Sequence, residues 1–424
     1  MKQKKRRNPI DLLTGVMQVF FFAAFFLLFL KDWSIEALVM AFAVPALLYL
    51  TGAVLPRLFP MDKLLLALIN FLCALGILLQ FRYSASRGFT QAFNYALGLV
   101  AMIGCSLMVR HIRSWKLLTV PMMLASCGLL ALPFVFRAAN AGKGATAWVG
   151  FGSMTMQPSE LVKILYVLIL SFLLSRRRVV TSMIFIGVML GFLVLQRDLG
   201  TAAIYAGTGL VLLYAATHSK LLTGGILAGA AGGISVMYLL FRDSYFLTVQ
   251  NRINNWLDPF ATYDKLGGGY QIVQSLIAIA NGGWWGTGLG LGSAEMIPEF
   301  RTDFIFSALM NEFGLVFAAL ILCVYMLIVL RSADIALRSA SAFHALLSTA
   351  CAAAFALQTF IIIGGITKLI PMTGVTVPFL SYGGTSIISC MALMGLIQGT
   401  AGLNEHLLKE DRRLADTPGE EAAL

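Results

Sequence analysis

The chain has 424 residues, of which 59% are hydrophobic and only 12% are charged, and its mean hydropathy is +0.84. Ordinary soluble domains carry about 25% charged residues, so this composition excludes a soluble globular protein and indicates an integral membrane protein. The formal net charge of +11 could suggest a nucleic-acid partner. The basic residues concentrate at the ends of apolar segments, however, so membrane topology is the better interpretation and no nucleic-acid partner is predicted.

About twelve apolar segments approach the ~20 residues that a helix needs to cross the hydrocarbon core of a membrane. We therefore predict an all-α integral membrane protein, a polytopic helical bundle in which residues 1–424 form one membrane domain. The predicted spans are residues 14–30, 36–53, 64–81, 92–109, 115–136, 158–175, 179–196, 201–217, 222–241, 303–330, 340–366 and 383–402.

Lys and Arg residues cluster in short loops on one side of the predicted bundle, and the positive-inside rule assigns that side to the cytoplasm. Both termini then lie in the cytoplasm, including the charged tail 404–424. The large loop 242–300 is extracytoplasmic in this orientation. The basic run at residues 2–7 would also attract the anionic headgroups of membrane lipids. We predict a multi-pass protein of the cytoplasmic membrane.

The first polar motif in chain order is QPSELVKI at residues 157–164. Gln157 or Ser159 can cap a helix that starts here, and Glu160 complements the helix dipole. Capping does not explain Lys163, because a charge inside the bilayer is expensive. Glu160 and Lys163 are spaced i,i+3 and can form a structural ion pair. The alternative is that both take a direct part in a polar cavity.

The second motif, QRDLGTA at residues 196–202, lies between two predicted spans. Asp198 can cap the helix that begins at Leu199. Equally, Asp198 and its neighbour Arg197 can line a polar cavity, and the sequence leaves both interpretations open.

The loop 242–300 is polar, aromatic and rich in glycine, unlike the rest of the chain. Loops of this length are usually functional or disordered, and the aromatic residues and glycine turns argue against disorder. Asp258 precedes a proline and is typical of a turn. Asp264 is less easily explained, because glycines follow it and no apolar helix there needs a cap.

Residues 271–280 of the same loop predict an amphipathic helix on the outer face, with Gln271, Gln274 and Ser275 turned to water. The later glycine run, GTGLGLG, does not have the spacing G-x-G-x-x-G, and no strand precedes it. A dinucleotide site is therefore rejected, and no nucleotide or organic cofactor is expected.

The last motif, TKLIPMTGVTVPFLSYGGTS at residues 367–386, puts prolines and glycines at a membrane boundary. This predicts irregular or re-entrant backbone, which membranes tolerate only where it is buried or lines a cavity. Lys368 and Ser381 could line such a cavity. A purely structural role for the prolines and glycines is the alternative.

Ionisable residues near the spans converge on the predicted outer leaflet, where they are functional candidates. Cations suit a phosphate-bearing ligand, and carboxylates suit a general base or a divalent cation such as Mg²⁺ or Mn²⁺. A solvent-exposed loop beside a large lipid-facing surface suits a substrate that is polar and linked to a lipid. The set comprises Glu160, Lys163, Asp198, Arg252, Asp264, Arg301, Asp303, Glu312 and Lys368.

Five motifs, in this order, resemble the SEDS family of bacterial membrane proteins, the FtsW/RodA/SpoVE group, over roughly residues 140–403. The resemblance implies a peptidoglycan glycosyltransferase that joins lipid II to an undecaprenyl-pyrophosphate-linked glycan outside the cytoplasmic membrane, in cell elongation, division or sporulation. It also implies a class B penicillin-binding protein as partner. The motifs are QPSELVKI (157–164), QRDLGTA (196–202), GGGYQIVQSLIAIANGGWWGTGLG (267–290), PEFRTDFIFSALMNEFGL (298–315) and IPMTGVTVPFLSYGGTS (370–386).

The resemblance also implies roles for single residues. The essential carboxylate of the family lies six residues before the tyrosine of a Gly-Tyr-Gln motif, and counting back from Tyr270 gives Asp264, which becomes the predicted catalytic base. Lys163 and Lys368 are predicted to lie near phosphate. The remaining predicted contacts to substrate, or supports of its cavity, are Glu160, Asp198, Arg197, Arg301, Asp303, Tyr270, Gln271 and Ser381.

Two departures from the family pattern stand out. The family usually has Gln-Pro-Asp where this chain has Gln196-Arg197-Asp198. The family also usually has about ten spans, with three before the QPSE helix, whereas five are predicted here. Residues 1–60 are therefore predicted to add a helical pair to a core of ten spans.

Two other functions compete with catalysis. Membrane-embedded charges and broken helices would also serve a lipid II flippase or another transporter. Such a carrier predicts charges through the whole depth of the bilayer, whereas here they collect on one side. The third possibility is a non-enzymatic scaffold of the wall-synthesis complex.

Overall fold

The computed structural model describes residues 9–112, 114–136, 147–151, 154–241, 247–263 and 268–416. These residues fold into helices and one small hairpin, in which β1 (Val149–Phe151) pairs antiparallel with β2 (Met154–Met156). The helices are α1 (Pro9–Asp32), α2 (Ile35–Tyr49), α3 (Leu55–Leu58), α4 (Lys63–Tyr83), α5 (Ala85–His111), α6 (Trp115–Val135), α7 (Pro158–Ser175), α8 (Val179–Leu195), α9 (Leu199–Thr217), α10 (Lys220–Phe241), α11 (Leu247–Leu257), α12 (Gly268–Gly282), α13 (Ile305–Leu337), α14 (Ala342–Ile366) and α15 (Gly384–Asp416).

The predicted all-α, multi-pass membrane architecture is confirmed, and each predicted span overlaps a helix. Within the described residues, ten helices are long and apolar enough to cross a membrane, counting α2 and α3 as one helix joined by a π-helical turn at Leu50–Val54. The two predicted spans outside this group fall on α8, which has 17 residues, and on α10.

The helix α4 lies at the centre of the bundle, with most of its side chains buried. On one side α5 and α15 approach each other closely through glycines: a Cβ at Gly395 would meet the backbone of Met102, and one at Gly399 would meet that of Ser106. Small residues let membrane helices pack at short range in this way.

The helix α13 breaks at Gly314, whose φ of 79° and ψ of 175° are not helical. The loop segment 283–293 closes around this break. Leu315 N donates to Gly283 O at 2.9 Å, and Gly288 N donates to Glu312 O at 3.0 Å. The unsatisfied backbone groups of the broken helix are thus bonded by the loop, which places that loop at one end of the bundle.

The helix α12 confirms the predicted amphipathic segment, with one correction. Gln271 and Gln274 are half-buried, but Ser275 is fully buried and shares a hydrogen bond of 2.7 Å with Ser307 of α13. The prediction that Ser275 faces water is therefore wrong. A hydroxyl tolerates burial when it has a partner, and the partner comes from a helix that local spacing cannot reveal.

Candidate active site at one end of the bundle

Glu160 and Lys163 form the predicted ion pair at the start of α7. Lys163 Nζ lies 2.7 Å from Glu160 Oε2 and 2.8 Å from Gln358 Oε1, and Ser389 donates a hydrogen bond to the same Glu160 oxygen. The pair is buried and joins α7 to α14 and α15. The structure thus brings the two charges together, as the i,i+3 spacing predicts, while their contact with substrate stays a prediction.

The helix α7 is not capped as the sequence suggests. Gln157 is the N-cap residue, but it makes no side-chain capping bond, and Ser159 Oγ is buried without a hydrogen-bond partner. Gln157 Nε2 instead donates to Asp198 Oδ2 at 2.8 Å. The amide therefore joins two helix starts, which a local capping rule does not anticipate.

Asp198 caps α9, because its Oδ1 accepts from Thr201 N at 3.1 Å. Burial raises the pKa of this carboxyl, and the hydrogen bonds from Thr201 and Gln157 oppose the rise. Its neighbour Arg197 is exposed and has a positive φ of 59°. Capping is thus present, and the second carboxylate oxygen is held by Gln157. Whether Asp198 and Arg197 also contact substrate stays a prediction.

Lys368 and Ser381 both lie in irregular backbone between α14 and α15, as predicted. Lys368 has a φ of 60°, its carbonyl accepts from Trp256 Nε1 at 3.1 Å, and its Nζ lies 3.5 Å from Leu257 O. Ser381 is buried; it donates to Thr302 O at 2.5 Å and accepts from Val377 N at 2.8 Å. Both residues are bonded to other segments at this end of the bundle, and their contact with substrate stays a prediction.

Arg301 and the turn that follows it hold the same end of the bundle. The carbonyl of Arg301 accepts from Tyr382 N at 2.9 Å and from Gln80 Nε2 at 3.0 Å. Its guanidinium lies over the ring of Phe300, 4.7 Å from the centroid. The backbone of this turn is therefore pinned to α4 and to the segment before α15.

A polar cavity of about 170 Å³ lies where α11, α12, the turn before α13 and the segment before α15 meet. Arg252 and Asn255 come from α11, three residues apart and thus on one face of that helix. The cavity is lined by Arg252, Asn255, Gln271, Ile272, Asp303, Phe304, Met372 and Gly374.

Asp303 is the acidic side chain of this cavity. Burial, with Glu299 acting in the same direction, raises the pKa of Asp303 to about 7, although Arg252 and a hydrogen bond from Thr302 oppose the rise. Arg252 itself donates from Nη1 to Thr373 O at 3.0 Å. The polar cavity thus combines a permanent cation with a carboxyl whose pKa is raised by burial.

Asp264, the predicted catalytic base, lies in the segment 264–267, outside the described residues. Of the residues around it, Tyr263 and Tyr270 have ring centroids 5.3 Å apart, and Gln274 Nε2 lies 3.2 Å from the Tyr263 hydroxyl. Asp258 is a turn former, as predicted, and its Oδ1 accepts from Phe260 N at 3.2 Å and Ala261 N at 3.0 Å.

The sequence predicts Arg252 and Glu312 among the charged residues of the outer leaflet but gives neither residue a specific role. Arg252 lies in the polar cavity, and its i,i+3 spacing with Asn255 on a polar helix was the signal that could have found it. Glu312 is buried and accepts from Arg82 Nε at 2.8 Å, from the Tyr83 hydroxyl at 3.2 Å and from Gly290 N at 3.0 Å. It is therefore a structural carboxylate.

In the part of the chain that the structure describes, no three His, Cys, Asp or Glu side chains come together in a way that could hold a metal ion. Both carboxylate oxygens of Asp198 already accept hydrogen bonds, and Asp303 faces Arg252. A divalent cation at either carboxylate stays a prediction.

The fold and this site define a class of protein: a multi-pass helical membrane protein with a polar cavity at one end of its bundle, beside a long polar loop. Within that class, the chain belongs to the FtsW/RodA/SpoVE family, described as cell cycle proteins, whose family model matches residues 58–404. The match extends the motif-based resemblance of residues 140–403 toward the N-terminus. It takes in α4, α5 and α6, and it begins after α1 and α2.

Two bacterial relatives illustrate the similarity. The chain is 30% identical over 357 residues to a probable peptidoglycan glycosyltransferase FtsW of Geobacter metallireducens, covering 79% of this chain and 93% of that protein. It is 36% identical over 301 residues to the peptidoglycan glycosyltransferase RodA of Mycobacterium tuberculosis, covering 65% of this chain and 61% of that protein.

Solved structures show the same fold. One chain in a study of how a peptidoglycan synthase complex coordinates polymerization and crosslinking has a TM-score of 0.66 and 24% identity, covering 81% of this chain and 98% of its own length. The crystal structure of the rod shape determining protein RodA of Thermus thermophilus has a TM-score of 0.57 and 24% identity, covering 82% and 98%.

Proposed function

We propose that this protein is a peptidoglycan glycosyltransferase, which joins lipid II to an undecaprenyl-pyrophosphate-linked glycan strand on the outer face of the bacterial cytoplasmic membrane. The observation that carries the proposal is the polar cavity with Arg252 and Asp303, in a chain of this family, beside the loop that contains Asp264. The reaction serves cell elongation, division or sporulation.

The chemistry requires a base. A sugar hydroxyl has a pKa far above 7, and a positioned carboxylate contributes about 10²–10⁴-fold to such a proton transfer. Asp264 takes the proton from the 4-hydroxyl of the acceptor GlcNAc in lipid II. The oxygen then bonds to C1 of the donor MurNAc, and the bond from C1 to the pyrophosphate oxygen breaks. The linkage inverts from α to β, and undecaprenyl pyrophosphate leaves.

The leaving pyrophosphate needs positive charge near it. Arg252 suits this task, because it lines the polar cavity and a guanidinium can bind two phosphate oxygens at once. Three other basic residues of the family motifs are further candidates for binding the pyrophosphate. They are Lys368, Arg301 and Arg197. Lys163 is already paired with Glu160 in a buried position, so in our proposal this pair supports the site from within the bundle.

In the proposed orientation, both termini lie in the cytoplasm and the loop 242–300 faces outward, following the distribution of basic residues.

A class B penicillin-binding protein supplies transpeptidation in our proposal. A chain of the same fold occurs in the solved structure that concerns a peptidoglycan synthase complex, which supports such a pairing. A requirement for Mg²⁺ or Mn²⁺ is tested by polymerisation with EDTA and with each ion restored.

The decisive experiment incubates the purified full-length protein, with its penicillin-binding partner, with lipid II and resolves the glycan strands on a gel. Asp264→Asn is expected to lower the rate about 10²–10⁴-fold. Asp258→Asn is the matched control, because Asp258 only organises a turn through an oxygen that asparagine retains. Full polymerisation by a folded Asp264→Asn protein would refute the proposal. A vesicle assay of lipid II scrambling by the same protein separates transport from polymerisation.

A further inference from the structure

We propose that Lys31, at the end of α1, is a positioning residue: it holds the loop segment 283–293, and through that segment α12, beside the polar cavity. The hairpin formed by α1 and α2 precedes the family-matched region, residues 58–404. The part of the inference that concerns reaction rate rests on the proposed function.

The key contact joins the hairpin to the glycine-rich turn. Lys31 Nζ donates to Gly290 O at 2.5 Å. Gly290 has a φ of 80°, and a Cβ built there would lie 3.1 Å from Lys31 Nζ and 3.5 Å from Leu28 Cδ2. The side chains of Lys31 and Leu28 thus rest directly on this glycine, and a larger residue would push them away.

Gly290 is also bonded to α13, through its amide. Gly290 N donates to Glu312 Oε2 at 3.0 Å, and Glu312 Oε1 accepts from Arg82 Nε at 2.8 Å. Arg82 also donates to Gly292 O at 3.1 Å. The turn is therefore held between two cations and a buried carboxylate, and charge-assisted bonds of this kind are among the stronger hydrogen bonds in proteins.

Asn311, the residue before Glu312 in α13, passes this constraint to α12. Asn311 Oδ1 accepts from Ser293 N at 2.8 Å, and Asn311 Nδ2 donates to Ala278 O at 2.7 Å. The helix α12 carries Gln271 and Ile272, which line the polar cavity. A continuous set of bonds thus runs from Lys31 to one wall of the candidate site.

The hairpin can act as a fixed support because it is packed firmly on the bundle. The buried rings of Phe21 and Phe25 contact Phe71 and Phe81 of α4, with centroids 5.8 Å and 5.5 Å apart. A separate polar contact also attaches the hairpin to α4. There Asn70 Nδ2 donates to Thr51 Oγ1 at 2.9 Å, in the π-helical turn after α2.

Hydrogen–deuterium exchange on the purified full-length protein tests the inference without substrate. Lys31→Met keeps the length of the side chain but removes the donor and the charge. We expect amide exchange in residues 286–293 to rise about tenfold or more, the order that follows from losing a charge-assisted hydrogen bond. Lys31→Arg keeps a charged donor and is expected to restore most of the protection. If Lys31→Met does not fold, Lys31→Gln is the substitute variant. Amide exchange in residues 286–293 is expected to rise in it too, by a smaller factor.

Thr51→Val is the matched control in the same hairpin, because it removes the bond to Asn70 and leaves the Lys31 contact intact. It is expected to lower thermal stability without raising exchange in residues 286–293. The rate of lipid II polymerisation at saturation should fall severalfold in Lys31→Met, with little change in KM, and recover in Lys31→Arg.

Unchanged exchange in Lys31→Met, or an equal rise in Thr51→Val, would overturn the inference. So would a Lys31→Met protein whose loop is loosened but which polymerises at the wild-type rate. Failure of the proposed function is a separate result: it shows as retained activity in Asp264→Asn and leaves the exchange data untouched.

Discussion

The ammonium of Lys163 and the carboxylate of Glu160 form a closed ion pair inside the helix bundle, 2.7 Å apart, with side chains only 2% and 6% exposed. Gln358 and Ser389 bond the same pair from α14 and α15. The desolvation cost of such a pair is balanced by the attraction between its members and by these extra bonds. Removing one member alone leaves an uncompensated charge in the bundle.

This arrangement predicts strong coupling between the two residues. Glu160→Gln or Lys163→Met alone should lower the free energy of unfolding by about 3–5 kcal/mol, the usual cost of breaking a buried pair. The double variant should lose much less than the sum of the two. Denaturant unfolding in detergent, analysed as a double-mutant cycle, measures the coupling. Additive losses would contradict the prediction.

The raised pKa of Asp303 should make the stability of the protein depend on pH. Its pKa is raised to about 7 by burial, so the folded protein holds a proton that the unfolded chain releases near pH 4. The stabilising contribution is therefore complete below about pH 4 and is lost as pH rises through about 7. Thermal midpoints measured from pH 4.5 to 8 should fall for the wild type. They should fall less for Asp303→Asn, and parallel curves would count against this assignment.

Two substitutions at Asp198 can separate its structural role as a helix cap from a role in binding substrate. Asp198→Ala removes the acceptor for Thr201 N and should lower the free energy of unfolding by about 0.5–2 kcal/mol. Asp198→Asn keeps that acceptor and should stay close to wild-type stability. Lipid II polymerisation by the asparagine variant then decides whether the charge matters: a large loss of rate at normal stability indicates a cavity role, and a normal rate indicates capping alone.

Any side chain at position 314 is expected to destabilise the protein. Its φ of 79° is unfavourable for other residues, and a Cβ there would meet the backbone of Trp284 and Gly286. Gly314→Ala should therefore lower the free energy of unfolding by at least about 1–3 kcal/mol. Gly104→Ala is the control, because its Cβ would meet nothing within 4 Å. Equal stability of the two variants in thermal unfolding would show that the break in α13 does not need glycine.

Much of the fold could be predicted from the chain because a membrane-spanning segment must bond its own backbone and bury no lone charge. That requirement makes each span visible as a local run of apolar residues, and every predicted span does overlap a helix. The Glu160–Lys163 pair was equally accessible, because i,i+3 spacing on one helix is a local property. Asp258 was recognised as a turn former for the same reason.

Contacts between distant segments were not accessible. Ser275 was expected to face water, but the structure buries it against Ser307, because the neighbouring helix supplies the hydroxyl partner. Gln157 was one of two candidates for capping its own helix, but it bonds Asp198 at the start of another. In both cases the competing partner comes from a helix that lies beside the first only after folding.

The chain by itself determined the class of protein, its spans and the family motifs, since all of these are written in local composition and order. The catalytic role of Asp264 stays a prediction from the resemblance. Only the tertiary structure decided that Arg252 and Asp303 share one cavity and that Lys31 reaches Gly290. The physical reason is that a hydrophobic pattern states which face of a helix is buried but not which neighbour covers it. Neighbours are selected by the packing of all helices together.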